Sequence, residues 1–273
     1  MVRSITRRRA VFALALAAAA GGGRAGARAG QDADPWPELQ RLFFGGRPIV
    51  EDPAMVRFEA PARAEDAALV PMSFSAKPPP GDPRRVIRLT LVIDENPVPL
   101  AAVFTFGDKT GDTRISTRVR VNSYTNVRVV AELDDGSLHM ATRYVKAAGG
   151  CSAPMVKSME EALATLGQMK FRILPPTAEA PGEALIMIRH PNNSGLQMDQ
   201  MTRLYTPARY IEKLAVHQGD ELVFAMEGGI SIAEDPNFRF TFKPNGAKEF
   251  RVEAQDTTGK TFSGAWPAAR DGA

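Results

Sequence analysis

The chain has 273 residues, with 34 Lys or Arg against 31 Asp or Glu, a net charge of +3 and a single cysteine. Six arginines and no acid fall in the first thirty residues, which read as an export signal; setting those six aside leaves 28 basic against 31 acidic residues, a net of −3. That balance argues against nucleic acid as a partner, and no later stretch reaches the roughly 18 consecutive apolar residues of a membrane-spanning helix.

In chain order, Arg7-Arg8-Arg9, the apolar run 10–20 and the small-residue sites Ala25-Gly26-Ala27 and Ala27-Arg28-Ala29 form a signal peptide over residues 1–29. Thr6-Arg7-Arg8-Arg9-Ala10-Val11 resembles a twin-arginine signal, and an ordinary secretory signal fits the same residues. The periplasm is the expected location. The only cysteine lies far from the cleavage region, so no lipid anchor is expected. The remaining length, about 240 residues, suits two domains of about 120 each.

A short helix is expected after Asp34 as cap, with Pro35 in its first turn and Leu39, Leu42 and Phe43 on one docking face. Strand-like runs follow at residues 68–76, 84–94, 100–106, 114–121, 126–133 and 137–146. Within 84–94 the alternation puts Ile87, Leu89, Leu91 and Ile93 on the buried face. Within 114–121 it sets Ile115, Thr117, Val119 and Val121 against Ser116, Arg118 and Arg120. Asp134-Asp135-Gly136 is a hairpin turn. Residues 155–169 then break the pattern as a connecting helix, with Ser158 as cap and Met159, Leu163 and Leu166 as a buried stripe. Beyond a Pro-rich linker, further strands are expected at 184–189, 210–217, 221–226, 238–242, 249–254 and 261–266.

This spacing predicts an all-β chain: two immunoglobulin-like antiparallel β-sandwich domains, a short N-terminal helix and a connecting helix. The divisions fall at 30–154, 155–182 and 183–273. Cys151 sits at the seam, in Ala147-Ala148-Gly149-Gly150-Cys151-Ser152-Ala153-Pro154. An exported protein usually pairs its cysteines or has none. The small neighbours are expected to leave this sulfur poorly shielded, with Gly149 and Gly150 supplying backbone freedom.

A cysteine hydrolase would need a base beside the thiol, and His139, His190 and His217 all lie elsewhere in sequence. Met187, His190, Met198 and Met201 form a soft-ligand grouping without Cys-x-x-Cys or His-x-His, and no metal site is expected from it. No G-x-G-x-x-G or P-loop is present, so no nucleotide or other cofactor is expected.

Several segments carry a family resemblance. In the first half they are Leu69-Val70-Pro71-Met72, Asn96-Pro97-Val98-Pro99-Leu100-Ala101, Thr117-Arg118-Val119-Arg120-Val121, and Val145-Lys146 leading into Gly149-Gly150-Cys151. In the second half they are Ile188-Arg189-His190-Pro191 with Ser194-Gly195-Leu196, Glu234-Asp235-Pro236-Asn237-Phe238-Arg239-Phe240, and Gly259-Lys260-Thr261-Phe262-Ser263-Gly264. The first half resembles SoxY, the sulfur-carrying subunit of the periplasmic thiosulfate-oxidising system, and the second half its partner SoxZ. A fused chain of this order is similar to the SoxYZ-like carriers associated with quinoprotein dehydrogenases.

The resemblance implies a carrier and not an enzyme, with Cys151 holding a covalent sulfur intermediate on which separate enzymes act. Its implied partners are periplasmic sulfur-oxidising or quinoprotein dehydrogenase enzymes. Of the family's Gly-Gly-Cys-Gly-Gly terminus only Gly149, Gly150 and Cys151 match. Ser152 and Ala153 replace glycines and the chain continues, so the thiol is tethered on both sides and must be offered as a loop. The alternative is a binding adaptor of a periplasmic dehydrogenase with no thiol chemistry.

Overall fold

The computed structural model describes residues 34–108, 110, 113–155, 158–174, 182–199 and 202–268. The export signal expected at 1–29 lies outside them. Helix α1 (Trp36–Phe44) leads into strands β1 (Ile49–Glu51), β2 (Val56–Glu59), β3 (Val70–Ala76), β4 (Val86–Ile93), β5 (Leu100–Phe106), β6 (Thr113–Val119), β7 (Thr125–Leu133) and β8 (Leu138–Val145). After helix α2 (Met159–Ala164) come β9 (Met169–Ile173), β10 (Glu183–Ile188), β11 (Ile211–Gln218), β12 (Glu221–Gly228), β13 (Asn237–Thr241), β14 (Glu249–Asp256) and β15 (Thr261–Pro267). The described residues are mostly β with two short helices, as expected; β1, β2 and β9 fall outside the strand runs read from the sequence.

The strands form two layers. Among the described residues one sheet has nine strands in the order β1-β8-β7-β4-β5-β12-β11-β14-β15, the other six in the order β2-β3-β6-β13-β10-β9. Among the described strands β1 pairs with β8 in parallel and the other pairings are antiparallel. Period-2 alternation drives this layering: Ile115 and Val119 of β6 point into the core, as do Phe250, Val252 and Ala254 of β14.

Both sheets run across the two halves of the chain. Strand β5 pairs with β12 from Phe106↔Phe224 to Ala102↔Gly228, and β6 pairs with β13 at Arg239↔Ser116 and Phe240↔Ile115. Phe104 of the first half packs against Phe224 and Phe238 of the second at ring-centroid distances of 6.3 and 6.1 Å. Such a shared aromatic core, with ladder hydrogen bonds in both layers, holds the seam as firmly as a domain interior.

Helix α1 starts later than expected. Pro35, not Asp34, is its N-cap, and no side chain caps it. The buried stripe rotates accordingly: Leu39 and Phe44 are buried, Phe43 is half-buried and Leu42 is 70% exposed. The helix covers Val92, Val130, Leu138 and Met140 on the outer face of the large sheet. Strand β4 is therefore buried on both faces near its end, and a bulge between Val86 and Arg88 leaves Ile87 only half-buried.

Helix α2 keeps its expected cap. Glu161 donates its N–H to the Ser158 hydroxyl and its carboxylate accepts from the Ser158 N–H. At six residues it is too short for the expected stripe: Ala162 is buried and Leu163 is 46% exposed. The next turn gives way to Gly167 at φ +81° and then to β9.

Candidate functional site

The site is built at the end of β6, where its regular pattern stops. After Val119 the chain leaves the strand, and both Arg120 and Val121 turn inward. Residues 149–150 lie against this segment. Gly149 donates its N–H to the Asn122 carbonyl at 2.8 Å, and Gly150 to the Val121 carbonyl at 3.1 Å. Gly149 turns the chain at φ +77°, where a side chain is strained. Gly150 is needed for a different reason: a Cβ there would sit 2.0 Å from the Ala67 carbonyl oxygen and 2.6 Å from that of Val121.

Cys151 follows with 0% of its surface exposed and no disulfide partner. The far side of its segment is held by the 190–197 loop of the second half. The Ser194 hydroxyl donates to the Cys151 carbonyl, and Gln197 Nε2 donates to the Ala153 carbonyl at 3.1 Å. The loop braces itself, since the Ser194 N–H donates to Gln197 Oε1 at 3.1 Å.

Arg120 is a charged group that acts electrostatically on the thiol, and only 2% of it is exposed. Its Nη1 donates to the Ile232 carbonyl at 2.6 Å, while Asn96 Nδ2 donates to the Arg120 carbonyl at 2.8 Å. Its Nε has no partner among the described residues. Burial raises the Cys151 pKa to about 11, against the downward pull of the Arg120 charge. Burial likewise pulls the Arg120 pKa down, opposed by Cys151 and Glu234. At neutral pH the sulfur is therefore a thiol, with a thiolate fraction of about one in ten thousand.

The comparisons align with this geometry. Residues 40–151 match the family described as "Sulfur oxidation protein SoxY", ending on Cys151 itself, and residues 174–267 match "Sulphur oxidation protein SoxZ". The chain is a fused SoxYZ-like protein. Among solved structures it is similar to the sulfur carrier protein SoxY from Chlorobium limicola f thiosulfatophilum, with 26% identity over 42% of this chain and 93% of that one and a TM-score of 0.36. No curated protein sequence matches it.

The thiol thus belongs to the SoxY half and is clasped by the SoxZ half. Two expectations need correction. Cys151 is not poorly shielded, and Gly149 and Gly150 do not form a free hinge. Small residues serve here to let backbones approach closely, and both glycine N–H groups are engaged. Sequence reasoning also missed Arg120, which reads as an outward residue of β6. The signal was that the alternation has nothing to act on once the strand ends at Val119.

Among the described residues no hydrogen bond joins a histidine to Cys151. His190 is buried; its Nδ1 accepts from the Asn192 N–H at 3.0 Å and its Nε2 faces Asp256 at 3.4 Å. Burial holds its pKa below the ordinary value, against the Asp256 hydrogen bond, so the ring is neutral. With both nitrogens engaged it is not a free ligand for the Met187–Met198 grouping, and Met201 lies outside the described residues. His139 pairs with Asp52 at 3.2 Å on the β1–β8 edge, and His217 sits at the β11 bulge.

The raised thiol pKa sets a measurable pH profile. A cysteine held neutral by burial should show an iodoacetamide reaction rate that climbs about tenfold per pH unit through pH 10 and levels only near pH 11. The same profile holds if the reagent captures a transiently opened form, because opening draws from the neutral closed state. Levelling at pH 8–9, as for a solvated thiol, would contradict the burial.

Proposed function

We propose that this SoxYZ-like chain is a periplasmic, non-catalytic carrier that holds a sulfur-containing intermediate covalently on Cys151 and presents it to partner enzymes of sulfur oxidation. The observation that carries this reading is the position of the lone thiol: the SoxY match ends on it, and it lies where the two halves meet. The export signal supports the location, and the segment order supports association with a quinoprotein dehydrogenase. The Cys151 sulfur is the attachment atom. Because the segment is tethered on both sides, presentation means releasing the Ser194 and Gln197 hydrogen bonds together with those of the Gly149 and Gly150 N–H groups, so that residues 149–154 swing out as a loop.

Intact-mass spectrometry of the protein taken from its native periplasm tests this. The expected result is a population heavier by sulfur-containing increments, absent in a Cys151→Ser strain that has lost substrate-dependent sulfur oxidation. Unmodified thiol alone, with full activity in the Cys151→Ser strain, would sink the reading. A second reading, a binding adaptor with a structural thiol, is favoured by the complete burial of Cys151. Its mark would be co-purification with a periplasmic dehydrogenase undiminished by the same substitution.

A further inference from the structure

A buried guanidinium is costly to keep unless its donors and charge are matched. Arg120 is nearly fully buried, yet what the site offers it is incomplete. Nη1 reaches the Ile232 carbonyl at 2.6 Å and approaches Ile230 O at 3.4 Å, while Nε has no partner among the described residues. Glu234 opposes the loss of its proton and so acts on its charge. The other titratable group that acts on it is Cys151, whose segment is hydrogen-bonded to the very next residue, Val121. A neutral thiol makes no demand for a cation. Tying the 230–232 loop through its carbonyls needs only a neutral donor, which an amide side chain would supply.

A negatively charged group on the sulfur would account for both features. It would accept the unpartnered Nε–H and add a counter-charge to that of Glu234. We propose that Arg120 is the anion-binding group of the Cys151 site, receiving the charged end of an anionic adduct on the sulfur and making modification of the thiol charge-selective. That such an adduct is carried rests on the carrier reading above; the charge selectivity is a property of the site that can be measured without it.

The test uses the full chain and three methanethiosulfonate reagents, 2-sulfonatoethyl (anionic), 2-hydroxyethyl (neutral) and 2-trimethylammonioethyl (cationic). In each case the Cys151 thiolate attacks the sulfenyl sulfur, a mixed disulfide forms, and methanesulfinate leaves with the electron pair, so no oxidant is needed. Rates are normalised to those of 2-mercaptoethanol, which has no charge other than its thiolate, so that the intrinsic reactivity of each reagent is largely cancelled. In the wild type the anionic reagent is expected to be favoured over the neutral one by about 10- to 100-fold, the range of a charge-assisted hydrogen bond, and the cationic one disfavoured.

Arg120→Gln should bring the three normalised rates together, while Arg120→Lys should keep their order. Because a substitution here can also loosen the segment, the fully labelled wild-type proteins are melted as well. The sulfonate adduct is expected to melt highest and the cationic one lowest. Equal normalised rates or equal melting temperatures in the wild type would overturn the proposal, as would an Arg120→Gln protein that keeps the wild-type order. A chain isolated with no native adduct but with this charge order would overturn carriage alone. A native adduct on a chain without the charge order would overturn the role of Arg120 alone.

Discussion

Gly150→Ala is expected to raise the alkylation rate of Cys151 at pH 8 by about 100-fold and to lower stability by about 2–4 kcal/mol. The added methyl would sit 2.0 Å from the Ala67 carbonyl oxygen and 2.6 Å from the Val121 carbonyl oxygen. Both are backbone atoms, so no side-chain rotation relieves the overlap and the 149–151 segment itself must move. Moving it breaks the Gly149–Asn122 and Gly150–Val121 hydrogen bonds and leaves buried carbonyls unpaired. It also draws the Cys151 carbonyl away from Ser194 and admits solvent to the sulfur. Gly149→Ala is the matched control. Nothing lies closer than the Ser152 hydroxyl at 4.0 Å, so only the φ of +77° is penalised, at about 1 kcal/mol. Urea denaturation and iodoacetamide kinetics on the two variants would separate these effects. Wild-type values for Gly150→Ala would mean that the segment is not pinned as described.

The same glycine shows where sequence reading stops. Strands such as β6 and β14 were legible because alternation is a local pattern and each has one face toward the core. The Asp134-Asp135-Gly136 turn was legible too, with Gly136 at φ +81°. Residue types at 147–154 were equally visible, but small residues suit two opposite environments. They permit motion where nothing is near, and they permit contact where another backbone is close. The difference depends on Ala67, Val121 and Ser194, none of them close in sequence. Arg120 is hidden for the same reason, since the carbonyls that hold it belong to Ile230 and Ile232. Strand β9 was obscured because Met169–Ile173 follows a short helix and precedes Pro175-Pro176, leaving five alternating residues between stronger local signals. The continuity of both sheets through β5–β12 and β6–β13 is a register between distant strands, which composition cannot specify.

Asp256→Ala is expected to cost about 3–5 kcal/mol and to lower the melting temperature by about 10 °C. The carboxylate ends β14 with 0% exposure. Its Oδ1 accepts from the Thr258 N–H at 2.9 Å, the Thr258 hydroxyl at 2.6 Å and the Lys260 N–H at 3.1 Å, while Oδ2 accepts from Arg209 Nε at 2.9 Å. Burial alone would raise its pKa, but these hydrogen bonds overcome that and hold it at about 2. A folded-state pKa below the ordinary 3.8 contributes stability that is present above pH 3.8 and lost as pH falls through about 2. Asp256→Asn, which keeps an acceptor but no charge, should therefore lie closest to the wild type at the acid end of that window. Asp256 also roots the clasp on Cys151. Arg209 donates its N–H to the Asn193 carbonyl at 3.0 Å, and the Asn192 side chain ties the same loop to the Ile211 N–H and the Ile232 carbonyl. Losing the anchor should loosen the loop that carries Ser194 and Gln197, so alkylation of Cys151 should speed up in conditions where the variant is still folded. A variant that melts lower while its thiol reacts at the wild-type rate would show that the clasp holds Cys151 without help from Asp256.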